Sequence, residues 1–250
     1  MNITDNTKLV RFLDSNGAEK SIDLERNGNL EFTFRHGLLH DYRTLETNAG
    51  DEKEGITSLS LPNNIIGKST VTNKILVSCW SIWDETNDPW HSFKSSSFAK
   101  ESKYICAIVS TVGKVREINQ LIFNSDHPNI FFYPIDRPVA YYSASEGVNL
   151  DDWKEKTNTQ KHGLGAQIIQ TIFHKRDSHP NGQRYDAECE YRFAIICNSN
   201  RKADEKFDKK TSLEEKLIQN IHYIEKVYLR NPPNVEPTCI YGNIELIKHS

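Results

Sequence analysis

The chain is predicted to be a single α+β domain with a mostly antiparallel β-sheet core flanked by short helices. Extended segments outnumber helical ones, and the two kinds do not alternate regularly as they would in a doubly wound fold. A length of 250 residues with 37% hydrophobic residues allows one sizeable core. The sequence shows no repeat, low-complexity segment or strong linker. One domain is therefore expected over residues 1–250.

An Asn16-Gly17 turn near the start separates two short extended runs, residues 8–13 and 18–24. This pattern is typical of a β-hairpin. We therefore expect residues 1–29 to form an N-terminal hairpin extension and residues 30–250 to form the core.

Periodicity predicts the main elements of the core. Alternating or continuous apolar runs predict strands at residues 30–36, 74–83 and 104–110. Apolar residues at helical spacing predict helices over residues 112–123 and 165–175, and a capping box predicts another helix starting at Ser212.

Composition limits the possible partners and the compartment. The net charge of −3 and a pI near 6.3 provide no overall basic character for nucleic-acid binding, so such binding would need a local basic patch. A mean hydropathy of −0.63, with no apolar run near the ~18 residues of a membrane helix and no signal-peptide pattern, predicts a cytoplasmic protein without membrane contact. The five widely spaced cysteines are expected to be reduced thiols, not zinc ligands.

Several common catalytic motifs are absent from the sequence. It contains no GxxxxGK[ST], no GxGxxG after a strand, no GxSxG and no HExxH. These absences count against a P-loop enzyme, a Rossmann enzyme, an α/β-hydrolase and a zinc protease. No metal is expected.

The most informative segment is residues 185–196, which we interpret as one strand with two different faces. Cys189, Tyr191 and their alternate neighbours form an apolar face that packs on the core. Glu188, Glu190 and Arg192 form the other face. That polar face is either solvated, with an ion pair of little energetic value, or the ledge of a catalytic cleft.

Three groups of residues, in this order, resemble a large bacterial domain family of unassigned function. The resemblance covers roughly residues 30–232, and its late part is the more specific. The groups are Tyr42-Arg43; a strand ending Ser78-Cys79-Trp80-Ser81 and followed by Trp90 and Phe93; and Lys175 followed by Tyr185, Glu188, Glu190, Tyr191 and Arg192.

That layout is in turn similar to the ADP-ribosyltransferase arrangement, with an early Arg or His, a Ser-x-Ser strand and a late Glu-x-Glu strand. The resemblance implies a split, mostly antiparallel sheet. It implies that Glu190 stabilises the cationic transition state and that Glu188 positions or deprotonates the acceptor. The implied NAD+-binding residues are Arg43 or Arg35, with His36 as a third candidate, and Ser78, Trp80 and Ser81. His36 also fits a packed core histidine.

The function implied by the resemblance is NAD+-dependent ADP-ribosylation of a macromolecule, either nucleic acid or protein. Such an enzyme would act as a bacterial toxin or phage-defence effector, and an antitoxin partner is expected by the same analogy. Two alternatives remain open at this point. One is a non-catalytic module that binds a nucleotide or a partner in the same cleft, and the other is a nuclease in which Asp186 joins Glu188 and Glu190 around a metal.

Overall fold

The computed structural model of the chain describes the strands, the helices and some of the connecting segments. The described residues are 2–15, 22–23, 31–34, 37–39, 55–61, 63, 65–70, 75–100, 103–124, 132–143, 145–149, 164–178, 182, 184–197, 216–218, 224–230, 239–241 and 244–248. Three of the predicted ligand-binding residues, Arg35, His36 and Arg43, lie outside these ranges.

Seventeen strands occur in these residues, together with four α-helices and one 3-10 turn. The strands are β1 (Lys8–Asp14), β2 (Ile22–Asp23), β3 (Glu31–Phe34), β4 (Gly37–Leu38), β5 (Ile56–Leu61), β6 (Ile65–Thr70), β7 (Ile75–Ile82), β8 (Tyr104–Thr111), β9 (Phe132–Pro138), β10 (Ala140–Tyr142), β11 (Val148–Asn149), β12 (His174–Arg176), β13 (Glu190–Cys197), β14 (Lys216–Ile218), β15 (Lys226–Leu229), β16 (Cys239–Tyr241) and β17 (Ile244–Lys248). The helices are α1 (Pro89–Ser92), α2 (Ser97–Lys100), α3 (Val112–Asn124) and α4 (Leu164–Ile172), and the 3-10 turn is Asp186–Glu188.

The predicted α+β class with mostly antiparallel strands is confirmed. In the described residues, parallel pairing is confined to β10 with β12, β5 with β11, and β15 with β17. All the other strand pairs are antiparallel, including those at the centre of the largest sheet. The predicted helix over residues 112–123 is confirmed as α3.

The largest sheet has the strand order β16-β17-β15-β8-β1-β7-β13-β9, and β4 also pairs with β7. In the described part of the predicted N-terminal hairpin, β1 pairs with β7 and β8, while β2 pairs with β3. Local turn chemistry favoured a hairpin, but Leu9, Val10 and Leu13 of β1 are buried, and the strand pairs with β7 and β8, two longer and more apolar strands. Residues 8–14 therefore belong to the interior of the sheet and not to an extension.

Two further element predictions are corrected. The helix predicted over residues 165–175 ends at Ile172, and the residues that follow form the short strand β12. The helix predicted to begin at Ser212 is replaced at residues 216–218 by β14, which pairs with β3. In the second case, pairing with a distant strand outweighs the local capping pattern.

The sheet is split between β1 and β7. These strands pair only where Leu9 faces Ile82 and Val10 faces Ser81. At the other end of β7, its pairing partner is β4, opposite Val77 and Leu76. The stretch between the two pairing regions, Ser78–Trp80, therefore has no strand partner on that side among the described residues. A cavity lies in this opening.

Apolar residues pack against both faces of the sheet. On one face, Ile172 and Phe173 pack on Val77 and Ala194. Farther along the same face, Trp90 and Phe93 of the α1 region pack on strands β1 and β8. Trp80, Trp83 and Trp90 are all buried.

Helix α3 covers the opposite face of the sheet. Its Arg116 binds Asp136 of β9 and lies within 3.5 Å of the Tyr191 hydroxyl on β13. Buried apolar residues of α3 complete this layer. Within the described ranges, no helix combines the length and apolar character needed to cross a membrane.

Candidate active site

The cavity in the split sheet has a volume of about 180 Å³. Its wall combines apolar and aromatic residues with five charged ones. Its lining residues are Val10, Arg11, Phe12, Leu13, Leu39, Cys79, Trp80, Ser81, Tyr104, Lys175, Glu188, Glu190 and Arg192. Four charged residues from β12, the 3-10 turn and β13 therefore meet two strands that are far away in the sequence.

The two predicted catalytic glutamates both line the cavity, although they are not on one strand. Asp186–Glu188 form a 3-10 turn, and Cys189 has a left-handed backbone with φ of 46°. The strand begins only at Glu190. The prediction of one strand over residues 185–196 is therefore wrong at its start. Cys189 is exposed instead of packing on the core.

The turn is held by main-chain hydrogen bonds that a strand would not make. The N–H groups of Tyr185 and Asp186 both donate to the carbonyl of Asp177, at 2.8 and 3.2 Å. The Glu188 N–H donates to the carbonyl of Tyr185, three residues earlier. The left-handed residue then redirects the chain into β13, and the carbonyl of Cys189 accepts from the Ile82 N–H. This route brings Glu188 and Glu190 to the same cavity.

Glu190 is fixed by two cations. Arg192 binds its carboxylate through both oxygens, with Nε to Oε1 at 2.5 Å and Nη2 to Oε2 at 3.1 Å. Lys175 donates to Oε2 at 3.3 Å. The remaining Arg192 nitrogen donates to the carbonyl of Ile172, the last residue of α4, at 2.6 Å. The guanidinium therefore binds the negative end of a helix as well as a carboxylate.

Lys175 joins the two glutamates. Its ammonium donates to Glu188 Oε2 at 2.9 Å as well as to Glu190, and the side chain is only 5% exposed. The same nitrogen lies 4.5 Å from the centre of the ring of Tyr185, which is fully buried. A buried lysine between two carboxylates and an aromatic ring is electrostatically compensated.

Glu190 is ionised at neutral pH. Burial raises its pKa, but the charges of Arg192 and Lys175, with hydrogen bonds from Arg192 and Cys79, outweigh burial and hold the pKa well below its usual range. Burial raises the pKa of Tyr141, whose hydroxyl accepts from the Glu190 N–H at 3.0 Å. Glu190 therefore contributes a negative charge to the cavity wall, next to the positive charges of Arg192 and Lys175.

The three residues predicted around the Ser-x-Ser strand have different positions. Ser81 lies directly opposite Glu190 in the register of β7 and β13, so the two share one face. Ser78 lies opposite Phe193 on the other face and is fully buried. It is not among the described residues that line the cavity. Trp80 shares the face of Ser78, yet part of it reaches the cavity wall.

Ser78 instead connects two cavity residues. Its hydroxyl accepts hydrogen bonds from Trp80 Nε1 at 3.0 Å and from Arg11 Nη1 at 3.2 Å. Arg11 is a cavity residue that the sequence interpretation missed. The alternation along β1 does not distinguish it from a surface arginine, because only the split from β7 exposes it to a cavity.

The carboxylate cluster expected for a nuclease does not form in the predicted way. Asp186 points to Arg184 on the surface, with which it forms an ion pair. The ammonium of Lys175 lies where a metal shared by Glu188 and Glu190 would have to sit. Among the described residues, no group of three His, Cys, Asp or Glu side chains is arranged to hold a metal ion.

The cavity offers a specific set of chemical groups. Three cations and two carboxylates leave one net positive charge, and three aromatic residues, Phe12, Trp80 and Tyr104, also line the cavity. A wall with a net positive charge suits an anionic ligand. Compared with protein families, with curated proteins and with solved structures, the chain matches none of them.

Proposed function

We propose that this protein is an NAD+-dependent ADP-ribosyltransferase and that the cavity in the split sheet is its active site. The observation that carries the proposal is the ionised carboxylate of Glu190, fixed by Arg192 and Lys175 on the cavity wall. A preorganised charge of this kind stabilises positive charge that develops during a reaction. The similarity of the motif order to ADP-ribosyltransferases supports the same reaction class.

In the proposed reaction, the bond between the nicotinamide nitrogen and the ribose carbon breaks. Nicotinamide leaves with the bonding electron pair and becomes neutral, while positive charge develops on the ribose. Glu190 faces that charge and accepts a hydrogen bond from a ribose hydroxyl. The acceptor then forms a bond to the ribose carbon and loses a proton to Glu188.

The dimensions of the cavity fit the reacting end of NAD+ and not the whole molecule. Pockets that hold a drug-sized ligand usually have about 300–1,000 Å³, whereas this cavity has about 180 Å³. The nicotinamide and its ribose would occupy it, and the phosphates would lie at its rim. Arg11 lines the cavity, and its guanidinium group suits a phosphate oxygen.

The acceptor is proposed to be a macromolecule, either nucleic acid or protein. We also propose that this protein acts as a toxin or phage-defence effector and that an antitoxin is its partner. Both proposals rest on the same similarity to ADP-ribosyltransferases. Labelling a cell extract and then treating it separately with nuclease and protease would identify the kind of acceptor.

The test is transfer of label from ³²P-NAD+ to macromolecules in a cell extract. Glu190→Asp keeps the charge but withdraws the carboxylate by about 1.5 Å, and we expect it to lower transfer about 100-fold, as misplacement by 1 Å can. The matched control is Glu225→Asp, because Glu225 is likewise held by two cations, Lys8 and Lys114, but lies outside the cavity. We expect this control to transfer label at the wild-type rate. Equal rates for both variants, with both proteins folded, would refute the proposal.

A second candidate function is a binding module without catalysis. The observation that favours it is that both oxygens of Glu190 are already in ion pairs, as in a purely structural cluster. The two functions differ in turnover. A binding module would bind NAD+ in calorimetry but release no nicotinamide over hours, whereas the enzyme releases it by transfer or by slow hydrolysis.

A further inference from the structure

Lys175 forms ion pairs with both cavity glutamates. It comes from β12, a strand outside the large sheet, and reaches the cavity beneath the 3-10 turn. Its ammonium contacts one oxygen of each carboxylate and the ring of Tyr185. This position makes it the common counter-ion of the pair.

Other charged or titratable groups surround the pair from every neighbouring element. Arg192 forms an ion pair with Glu190. The remaining groups are Tyr141 from β10, Cys79 from β7, Arg11 from β1, and Tyr185, His174 and Arg176 beside Lys175. His174 is engaged at Nδ1 by the carbonyl of Gln170 at 2.6 Å, and Arg176 lies 5.8 Å from the centre of the Tyr185 ring.

The positive charges near the two glutamates are shared unequally between them. Glu190 has Arg192 on both oxygens and keeps this partner if Lys175 is removed. Glu188 is 6% exposed, and it forms an ion pair with Lys175. Two carboxylates in one poorly solvated site, with less positive charge between them, cannot both stay ionised. Glu188 would then take up the proton.

We propose that Lys175 is a positioning residue that keeps Glu188 and Glu190 ionised together on the wall of the cavity. This inference rests on the proposed function and deepens it, because transfer needs Glu190 charged against the ribose and Glu188 ready to take the acceptor's proton. Lys175 touches neither reacting atom in this scheme. It acts through the two carboxylates.

The test compares the melting temperature of variants between pH 4 and pH 9. Removal of the lysine in Lys175→Met raises the folded-state pKa of Glu188 above its unfolded value of about 4.3. The stability linked to that proton is present at low pH and is lost as the pH rises through the folded-state pKa. The melting temperature of Lys175→Met should therefore fall towards neutral pH relative to the wild type. Lys175→Arg should follow the wild type.

Two further variants keep the test decisive if Lys175→Met does not fold at neutral pH. The double variant Lys175→Met/Glu188→Gln has one carboxylate fewer, so it should melt higher than Lys175→Met at pH 8 and lose the added pH dependence. Lys114→Met, which removes a surface lysine from Glu225, should not change the pH dependence. A uniform loss of melting temperature in Lys175→Met at every pH, or no rescue by Glu188→Gln, would show a structural role and overturn the inference.

The pH profile of label transfer separates this inference from the proposed function. If both are correct, the acidic limb of the profile moves to higher pH by one unit or more in Lys175→Met. If the wild type transfers no label, the proposed function fails. The melting profiles then still decide whether Lys175 controls the ionisation of the pair.

Discussion

The ion pair between Glu190 and Arg192 offers the most demanding test of how the site is built. Both side chains are almost completely buried, and two hydrogen bonds join them. Removing one partner of a buried pair costs about 3–5 kcal/mol, because the other charge stays behind in a poorly solvated place. In a chain of this size 1 kcal/mol corresponds to about 2–4 °C, so Glu190→Gln and Arg192→Met should each lower the melting temperature by roughly 6–20 °C.

The double variant tests whether the loss of stability in the single variants comes from breaking the ion pair. Glu190→Gln/Arg192→Met leaves neither charge of the pair behind. In urea unfolding, its decrease in the free energy of unfolding should therefore be smaller than the sum of the decreases in the two single variants. We expect a coupling free energy of about 2 kcal/mol, within the usual range for residues in one network. The control is the same cycle at Glu225 and Lys114, a partly exposed pair at 3.1 Å for which about 0.2–1 kcal/mol is expected. A coupling at Glu190–Arg192 no larger than in the control would refute the reasoning.

Four further outcomes are expected. Tyr191→Phe removes a 2.6 Å hydrogen bond to Asp136 and should cost about 1.5–3 kcal/mol in urea unfolding, and an unchanged midpoint would contradict this. Cys189→Gly relieves a left-handed backbone with φ of 46° and should stabilise the protein by up to about 1 kcal/mol, whereas Cys189→Ala should not. Because the pKa of Glu190 is lowered in the folded state, its stabilisation is present above about pH 5 and should be lost in thermal melts as the pH falls towards 2; a flat profile would argue against it. Burial raises the pKa of Cys106 to about 12, so at pH 8 this thiol should resist a disulfide reagent until urea is added.

The strands of the core were predictable from the sequence because their patterns are local. Residues 74–83 and 104–110 are continuous apolar runs, and they form β7 and β8. The partner of β1 was not predictable in the same way. The Asn16-Gly17 turn favours a nearby partner, whereas burial between two apolar strands favours distant ones. Only the assembled sheet shows which preference is stronger.

The site was predictable in composition but not in geometry. The spacing of Glu188, Glu190 and Arg192 indicated a charged group on one side of the chain. Alternation could not distinguish a strand from a turn followed by one left-handed residue, because both routes bring the carboxylates to one side. The position of Lys175 depends on where α4 ends and β12 begins. Helical periodicity predicts a helix as far as residue 175, whereas α4 ends at Ile172 and Lys175 lies in β12.

The central position of β1 has a consequence for folding during translation. This strand leaves the ribosome first among the strands of the large sheet, but its partners β7 and β8 lie about 70 to 100 residues later. The ionic wall of the cavity is made still later, up to Arg192. Sheets built from such distant pairings form slowly, and a nascent chain that ends before Arg192 lacks part of the cavity wall. Any activity of the cavity therefore begins only after Arg192 has been synthesised and the strands around it have paired.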